Sequence, residues 1–153
     1  MKFSVNCVNL IKKFEGFRPK PYIDAVGIPT IGYGTTEYQN GTKVTMKDAP
    51  VSEPVAVDLL LTHLNKQVLP ILTKNLKVEQ TQNQIDALGC LVYNIGSGNF
   101  SSSSLLKKIN NKESLEAIRE SWLAWNKGRV SGQLQVLAGL TTRRQSEFDL
   151  YKQ

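Results

Sequence analysis

The apolar positions along the chain change period twice, and the changes mark three stretches. In residues 4–14, Val8, Leu10, Ile11 and Phe14 recur at helical spacing, with Ser4 placed as an N-cap and Gly16 as the stop. From 17 to about 50, glycines and prolines punctuate short segments, "PYIDAV", "TIGYG" and "TKVTM". That pattern predicts a small antiparallel sheet of two or three strands. A tight turn fits Val26-Gly27 or Gly27-Ile28, and Asn40-Gly41 is the strongest hairpin signal in the chain. A first turn centred there sets Asp24 and Thr30 nearly opposite each other on adjacent strands, both facing one side.

The helical period returns near 52. Ser52 is placed to cap, Pro54 is tolerated in a first turn, and Val57, Leu60, Leu61, Leu64, Val68, Ile71 and Leu72 form one stripe. Pro70 predicts a kink or a break in it. Thr81-Gln82-Asn83-Gln84 reads as a capping box, opening a helix with Ile85, Leu88, Leu91, Val92 and Ile95 that stops at Gly96. Gly98 and the Ser101–Ser104 run predict a loop into a short helix over 104–110. Leu115, Ile118, Trp122 and Trp125 share a face over 113–125, and a last helix covers about 140–151. Helix, small sheet, then several helices predict an α+β fold. The expected arrangement is one domain over 1–153, with a β-rich lobe at about 15–52, a helical lobe from 1–14 and 53–153, and a ligand cleft between them.

Composition narrows the class without fixing the function. The chain has 153 residues, 41% hydrophobic and 21% charged, ordinary for a globular protein. No continuous apolar run approaches the roughly 20 residues of a membrane span. The N-terminal apolar stretch is broken by Asn6, Asn9, Lys12 and Lys13, so an amphipathic helix is expected there and not a signal peptide. Cys7 and Cys90 lie far apart among apolar residues, and buried free thiols are the preferred reading, with a disulfide as the alternative. The single histidine, His63, excludes a multi-histidine metal site. A net charge of +6 favours an anionic partner such as a cell-wall polymer or an acidic membrane surface. No basic run is long enough for a nucleic-acid tail.

Candidate chemistry begins with Glu15. A carboxylate at a helix C-terminus is disfavoured by the dipole, and such breaches of local rules are expected at functional sites. A glycosidase needs one carboxylic acid for the leaving oxygen and a second group for the nucleophile or the developing positive charge. Glu15 and Asp24 can supply these, and Thr30 adds a hydroxyl able to hold a water. Two acids and a threonine this close also occur by chance, as cap, turn and strand surface.

The stretch "LIKKFEGFRPKPYIDAVGIPTIGYGTT" resembles the active-site segment of the phage-type lysozymes of glycoside hydrolase family 24. The family pattern is a glutamate, eight residues, an aspartate or cysteine, five residues, then a threonine, and Glu15, Asp24 and Thr30 match it. "QTQNQIDALGCLVYNIGSGNFSSSSLLKKIN" resembles the family's central helix and the turn after it. "WLAWNKGRVSGQLQVLAGLTTRRQSEFDLY" resembles its closing segment. One departure is Thr35, where many members carry a histidine.

The resemblance implies a muramidase. It would hydrolyse the β-1,4 bond between N-acetylmuramic acid and N-acetylglucosamine in peptidoglycan, with Glu15 as general acid. Asp24 would stabilise positive charge on the sugar and, with Thr30, orient water. The helix dipole, which disfavours ionised Glu15, would suit an acid that must carry a proton. Members with this triad are taken to invert, which implies carboxyl groups about 6.5–9.5 Å apart. Tyr33, Asn94 and Phe100 are candidates to line the cleft, with core or turn positions as the alternative. Arg143 or Arg144 is expected to face Glu15, the glycan or its peptide stem, with a surface pair as the alternative. No cofactor is implied. The expected protein is a monomeric endolysin, held in the host cytoplasm until the inner membrane is permeabilised, with peptidoglycan as its partner. Two other readings are a non-catalytic peptidoglycan-binding module and a cationic protein acting on membranes through 113–125 or 140–151.

Overall fold

A computed structural model describes residues 1–153. Helix α1 spans Val5–Glu15. The Ser4 hydroxyl accepts from the Asn6 N–H, and Gly16 closes the far end through a hydrogen bond to the Lys12 carbonyl. Ser4 also donates from its backbone N–H and its hydroxyl to Asp86. Asp86 is buried on the central helix, so the cap also pins α1 to that helix.

Strands β1 (Arg18–Ile23) and β2 (Pro29–Gly32) form a two-stranded antiparallel sheet. Tyr22 pairs with Thr30 and Ile23 with Pro29, and the register is irregular between Arg18 and Tyr22. Asp24 therefore lies in the connecting turn, and Tyr22 takes the position opposite Thr30 that the sequence pattern gives to Asp24. The expected third strand is reduced to an isolated bridge, Glu37 with Lys43. Between them lies the Asn40-Gly41 turn, where Gly41 N–H donates to the Tyr38 carbonyl and Asn40 Oδ1 accepts from Thr42.

Helix α2 (Glu53–His63) is capped by the Ser52 hydroxyl. A π turn over Leu64–Val68 carries it into α3 (Leu69–Asn75), so Pro70 does not break the helix. The wider turn, with Leu69 N–H bonded to the Leu64 carbonyl, accommodates the proline that an α-helical ladder would reject. The result is one continuous 23-residue helix, Glu53–Asn75, with the length and mean apolarity of a membrane span, which no uninterrupted apolar run indicated. Its stripe of Leu60, Leu64, Val68 and Leu72 is buried in the core.

Helix α4 (Gln82–Ile95) opens on the Thr81–Gln84 capping box and is buried from Ile85 to Val92. It packs against α1 and the last helix. Gly98, expected in a loop, lies inside a short helix α5 (Ser97–Ser101), and Ser103 caps α6 (Ser104–Asn110). Helices α7 (Leu115–Leu123) and α8 (Ala138–Tyr151) turn Trp122, Phe148 and Tyr151 inward as one aromatic cluster. Most of their large apolar side chains are thus turned into the core, with Leu115 left exposed. Strands β3 (Lys127–Val130) and β4 (Gln133–Val136) form an exposed hairpin that the pattern of segments omitted. Its turn has Ser131 at φ 50° and Gly132 at φ 79°, so both central residues have positive φ, as a primed hairpin turn requires.

Candidate active site

Glu15, Asp24 and Thr30 line one recess of about 310 Å³, together with Tyr22, Gly34 and Tyr93. Each reaches it from a different element. Glu15 is the last residue of α1, held at the rim by the Gly16 stop. Asp24 is fixed by the turn it makes, since its Oδ1 accepts from the N–H groups of Val26 and Ile28, both at 2.9 Å. With Oδ1 engaged in this way, Oδ2 is the oxygen free to face a ligand. Thr30 is 3% exposed and its hydroxyl donates to the Ile28 carbonyl at 2.9 Å. Its proton is committed, so the oxygen meets an incoming water as an acceptor.

The environment of Glu15 is set by α8. Arg143 Nη1 donates to Glu15 Oε1 at 2.6 Å, while Gly34 approaches Oε2. A Cβ at Gly34 would sit 3.0 Å from that oxygen and 3.3 Å from the Tyr93 hydroxyl, and φ there is +88°. Only glycine allows this contact without strain. Burial, and then the charge of Glu15, raise the ionisation of Tyr22 and Tyr93 above the ordinary phenol value. Both therefore face the carboxyl group as neutral hydroxyls.

Arg143 is anchored on three sides. Nε donates to Glu147 Oε1 at 3.1 Å and Nη2 to the Cys90 carbonyl at 3.4 Å. Burial works against its charge, but the carboxylates of Glu15 and Glu147 help outweigh that and hold the guanidinium above its ordinary value. Glu147 also accepts from Arg144 Nη2 at 2.8 Å and from Trp122 Nε1 at 3.1 Å. Burial lowers Arg144, with Glu147 opposing. Cys7 and Cys90 are buried free thiols, both raised well above the usual thiol range by burial first.

The other residues expected to meet substrate divide. Asn94 lines the recess. Arg143 reaches it only through Glu15. Arg144 has no exposed side chain; Nη2 donates to Glu147 and Nη1 to the Trp125 carbonyl, while Nε is buried without a partner, so it has no surface to offer a glycan or a peptide stem. Phe100 is fully buried in the core. Tyr33 is 4% exposed, and its hydroxyl donates to Glu53, which also pairs with Lys12. Thr35 carries a buried hydroxyl with no hydrogen-bond partner, so it supplies no substitute for an imidazole's bonds. No group of three or more His, Cys, Asp or Glu side chains is arranged to hold a metal ion.

A second recess of about 490 Å³ adjoins the first, sharing Thr36, His63, Tyr93 and Asn94. Together they form one continuous groove. His63 stands at the junction with its ring edge-on to Tyr93, 5.2 Å between centroids. Glu147 escaped the sequence reading, and His63 entered it only as a lone histidine unable to form a multi-histidine metal site. The Arg-Arg-x-x-Glu spacing of 143–147 puts both arginines at i−4 and i−3 of one glutamate and is the signal that could have found the first.

Comparison with known proteins gives concordant matches. The family described as Phage lysozyme matches residues 12–147. An endolysin of Acyrthosiphon pisum secondary endosymbiont phage 1 is 38% identical over 153 residues, covering 99% of each chain. Among solved structures, an endolysin from Escherichia coli O157:H7 phage FAHEc1 superposes with a TM-score of 0.90 at 36% identity, covering 99% of this chain and 93% of that one. The muramidase domain of SpmX from Asticaccaulis excentricus superposes with a TM-score of 0.85 at 31% identity, covering 99% of this chain and 98% of that one.

Proposed function

Because the chain belongs to the phage lysozyme family and is a lysozyme-type glycoside hydrolase, we propose that Glu15, Asp24 and Thr30 carry the reaction. The bond cut is the β-1,4 linkage between N-acetylmuramic acid and N-acetylglucosamine. The observation that supports this reading is the meeting of all three side chains in one recess that opens into a longer groove.

Glu15 gives its proton to the glycosidic oxygen as the bond breaks. Arg143 holds Oε1, so the proton resides on Oε2, the oxygen beside Gly34. The arginine charge favours the carboxylate, opposite in sense to the helix dipole. A glycan filling the recess strips water from Oε2, and that desolvation favours the neutral acid. On the far side, a water donates one hydrogen to Thr30 Oγ1 and the other to Asp24 Oδ2, which leaves its lone pair aimed at the sugar carbon. Asp24 takes that proton as the new bond forms and also stabilises the positive charge that builds on the ring. Asn94 and His63 border the path of the strand.

The protein acts as a monomer on peptidoglycan. It waits in the host cytoplasm until the inner membrane is permeabilised. Its positive charge gives weak contact with anionic membrane surfaces. Digestion of purified peptidoglycan in heavy-oxygen water tests the chemistry. Mass analysis should find label on new reducing-end N-acetylmuramic acid. Anhydro ends would mean a transglycosylase, and no cleavage a binding module. Proton NMR of the fresh product should show inversion at the anomeric carbon.

A further inference from the structure

Glu147 has no exposed surface and does not line the groove, yet it lies one guanidinium away from Glu15. We propose that Glu147 is a positioning residue for glycan cleavage: it locks the Arg143 fork so that Nη1 holds Glu15 Oε1 and leaves Oε2 aimed at the scissile oxygen. The inference rests on the reading of Glu15 as the general acid.

The geometry carries it in two steps. An arginine touching one carboxylate can rotate about its long side chain, and the contact alone fixes no direction. Here the three nitrogens of Arg143 meet three separate acceptors, Glu147 by Nε, Glu15 by Nη1 and the Cys90 carbonyl by Nη2. Three acceptors in different directions fix a plane. Glu147 is fixed in turn by Trp122 Nε1 from α7 and by Arg144 Nη2. The chain of bonds therefore runs from an immobile aromatic core to the last residue of α1. Stability alone gives no reason for such a cluster, since buried ion pairs are often replaced by apolar residues without loss.

The bonds around Glu147 also dictate the variant. Arg143 Nε, Arg144 Nη2, Trp122 Nε1 and the Cys90 thiol are all donors, and the two carboxylate oxygens accept all four. In Glu147→Gln one oxygen becomes an NH₂ that faces a donor, so an anchor is lost while the volume is kept. A second variant, Arg144→Met with Glu147→Met, removes the buried pair together and keeps Arg143 and Glu15 in charge balance. Turnover of soluble, uncrosslinked glycan strands is measured per folded molecule, with Glu15→Gln as a control. Both variants should lose at least tenfold in kcat with KM within twofold, and if Glu147→Gln does not fold, the double variant decides. A kcat within twofold of the unsubstituted protein, or a loss confined to KM or to the folded fraction, overturns the inference. If that happens while Glu15→Gln is inactive, the acid assignment stands; an active Glu15→Gln overturns the assignment and the inference together.

Discussion

Arg143 Nη1 and Glu15 Oε1 lie 2.6 Å apart although 128 residues separate them in the chain. The contact closes the molecule on itself, joining the end of the first helix to the middle of the last. It also holds one oxygen of the acid and leaves the other to the groove.

Replacing Glu15 by Gln keeps an acceptor for Arg143, so the fold should survive with its melting temperature nearly unchanged. Hydrolysis should fall by about 10²–10⁴-fold, the usual contribution of a general acid. Arg143→Ala is different in kind. It deprives both Glu15 and buried Glu147 of a partner, and Arg144 remains to pair with the latter. Loss of one member of a buried ion cluster costs about 3 kcal/mol or more. Urea unfolding of the two variants should therefore separate them clearly, and equal midpoints would contradict the burial assigned to Arg143.

The Thr30 hydroxyl already gives its hydrogen to Ile28, so its role toward water is as an acceptor. Thr30→Val keeps the shape and removes that oxygen, leaving the Ile28 carbonyl without its side-chain donor. The expected cost is about 1 kcal/mol in stability and about 10²-fold in kcat/KM, within the range of one positioned group in general acid–base catalysis. Thr30→Ser keeps the oxygen and should retain most of the activity. Steady-state kinetics on glycan strands distinguishes the pair; a fully active valine variant would remove Thr30 from the water site.

The features that were legible in the sequence are those decided by a few neighbouring residues. Ser4, Ser52 and the Thr81–Gln84 box cap their helices because a cap needs only the next three N–H groups. Asn40-Gly41 turns the chain for the same reason. The register of the first sheet was harder to read, because it depends on the residue at which the turn closes: Gly27 N–H bonds back to the Asp24 carbonyl, which makes Asp24 the first residue of the turn and sets Tyr22 opposite Thr30. Residues fixed by long-range partners were not legible. Phe100 and Tyr33 look equally suited to a cleft or to a core or turn, and Arg144 to a cleft or a surface pair; only long-range packing buries all three. Glu147 reads as an ordinary surface charge until Trp122 and two arginines surround it. The second hairpin had a local signal, Ser131-Gly132 between short runs, but its strands are exposed and lack the apolar alternation that marks a buried sheet face.

Gly34 is the position where backbone conformation and chemistry coincide. An alanine there must adopt φ near +88° and push its methyl to 3.0 Å from Glu15 Oε2. The conformational strain alone is about 1–3 kcal/mol. The methyl also covers the oxygen assigned to carry the proton. Gly34→Ala should therefore lose stability by about that amount and activity by more than the folded fraction explains. Thermal unfolding and kcat on the same preparation give both numbers. Activity that tracks the folded fraction would argue that Oε2 is not the oxygen facing the sugar.

His63 offers a test by pH. Burial against Tyr93 holds its imidazole below the ordinary value of 6.5, with Glu37 opposing weakly. The folded protein therefore binds this proton less readily than the unfolded chain. Where the unfolded state binds more protons, stability rises with pH. The contribution of neutral His63 is complete above about pH 6.5, the unfolded value, and declines as pH falls toward and through the lower folded value. Asn at this position cannot titrate. Urea midpoints of the unsubstituted protein and His63→Asn, taken from about pH 7.5 to 5, should differ by an amount that shifts against the histidine protein on acidification. The same protonation adds a cation at the junction of the two recesses, so binding of neutral glycan should weaken over the same interval in the histidine protein and stay flat in the variant. A difference in midpoints that is constant across this range would mean the ring is as well solvated folded as unfolded, and would remove His63 from the wall of the groove.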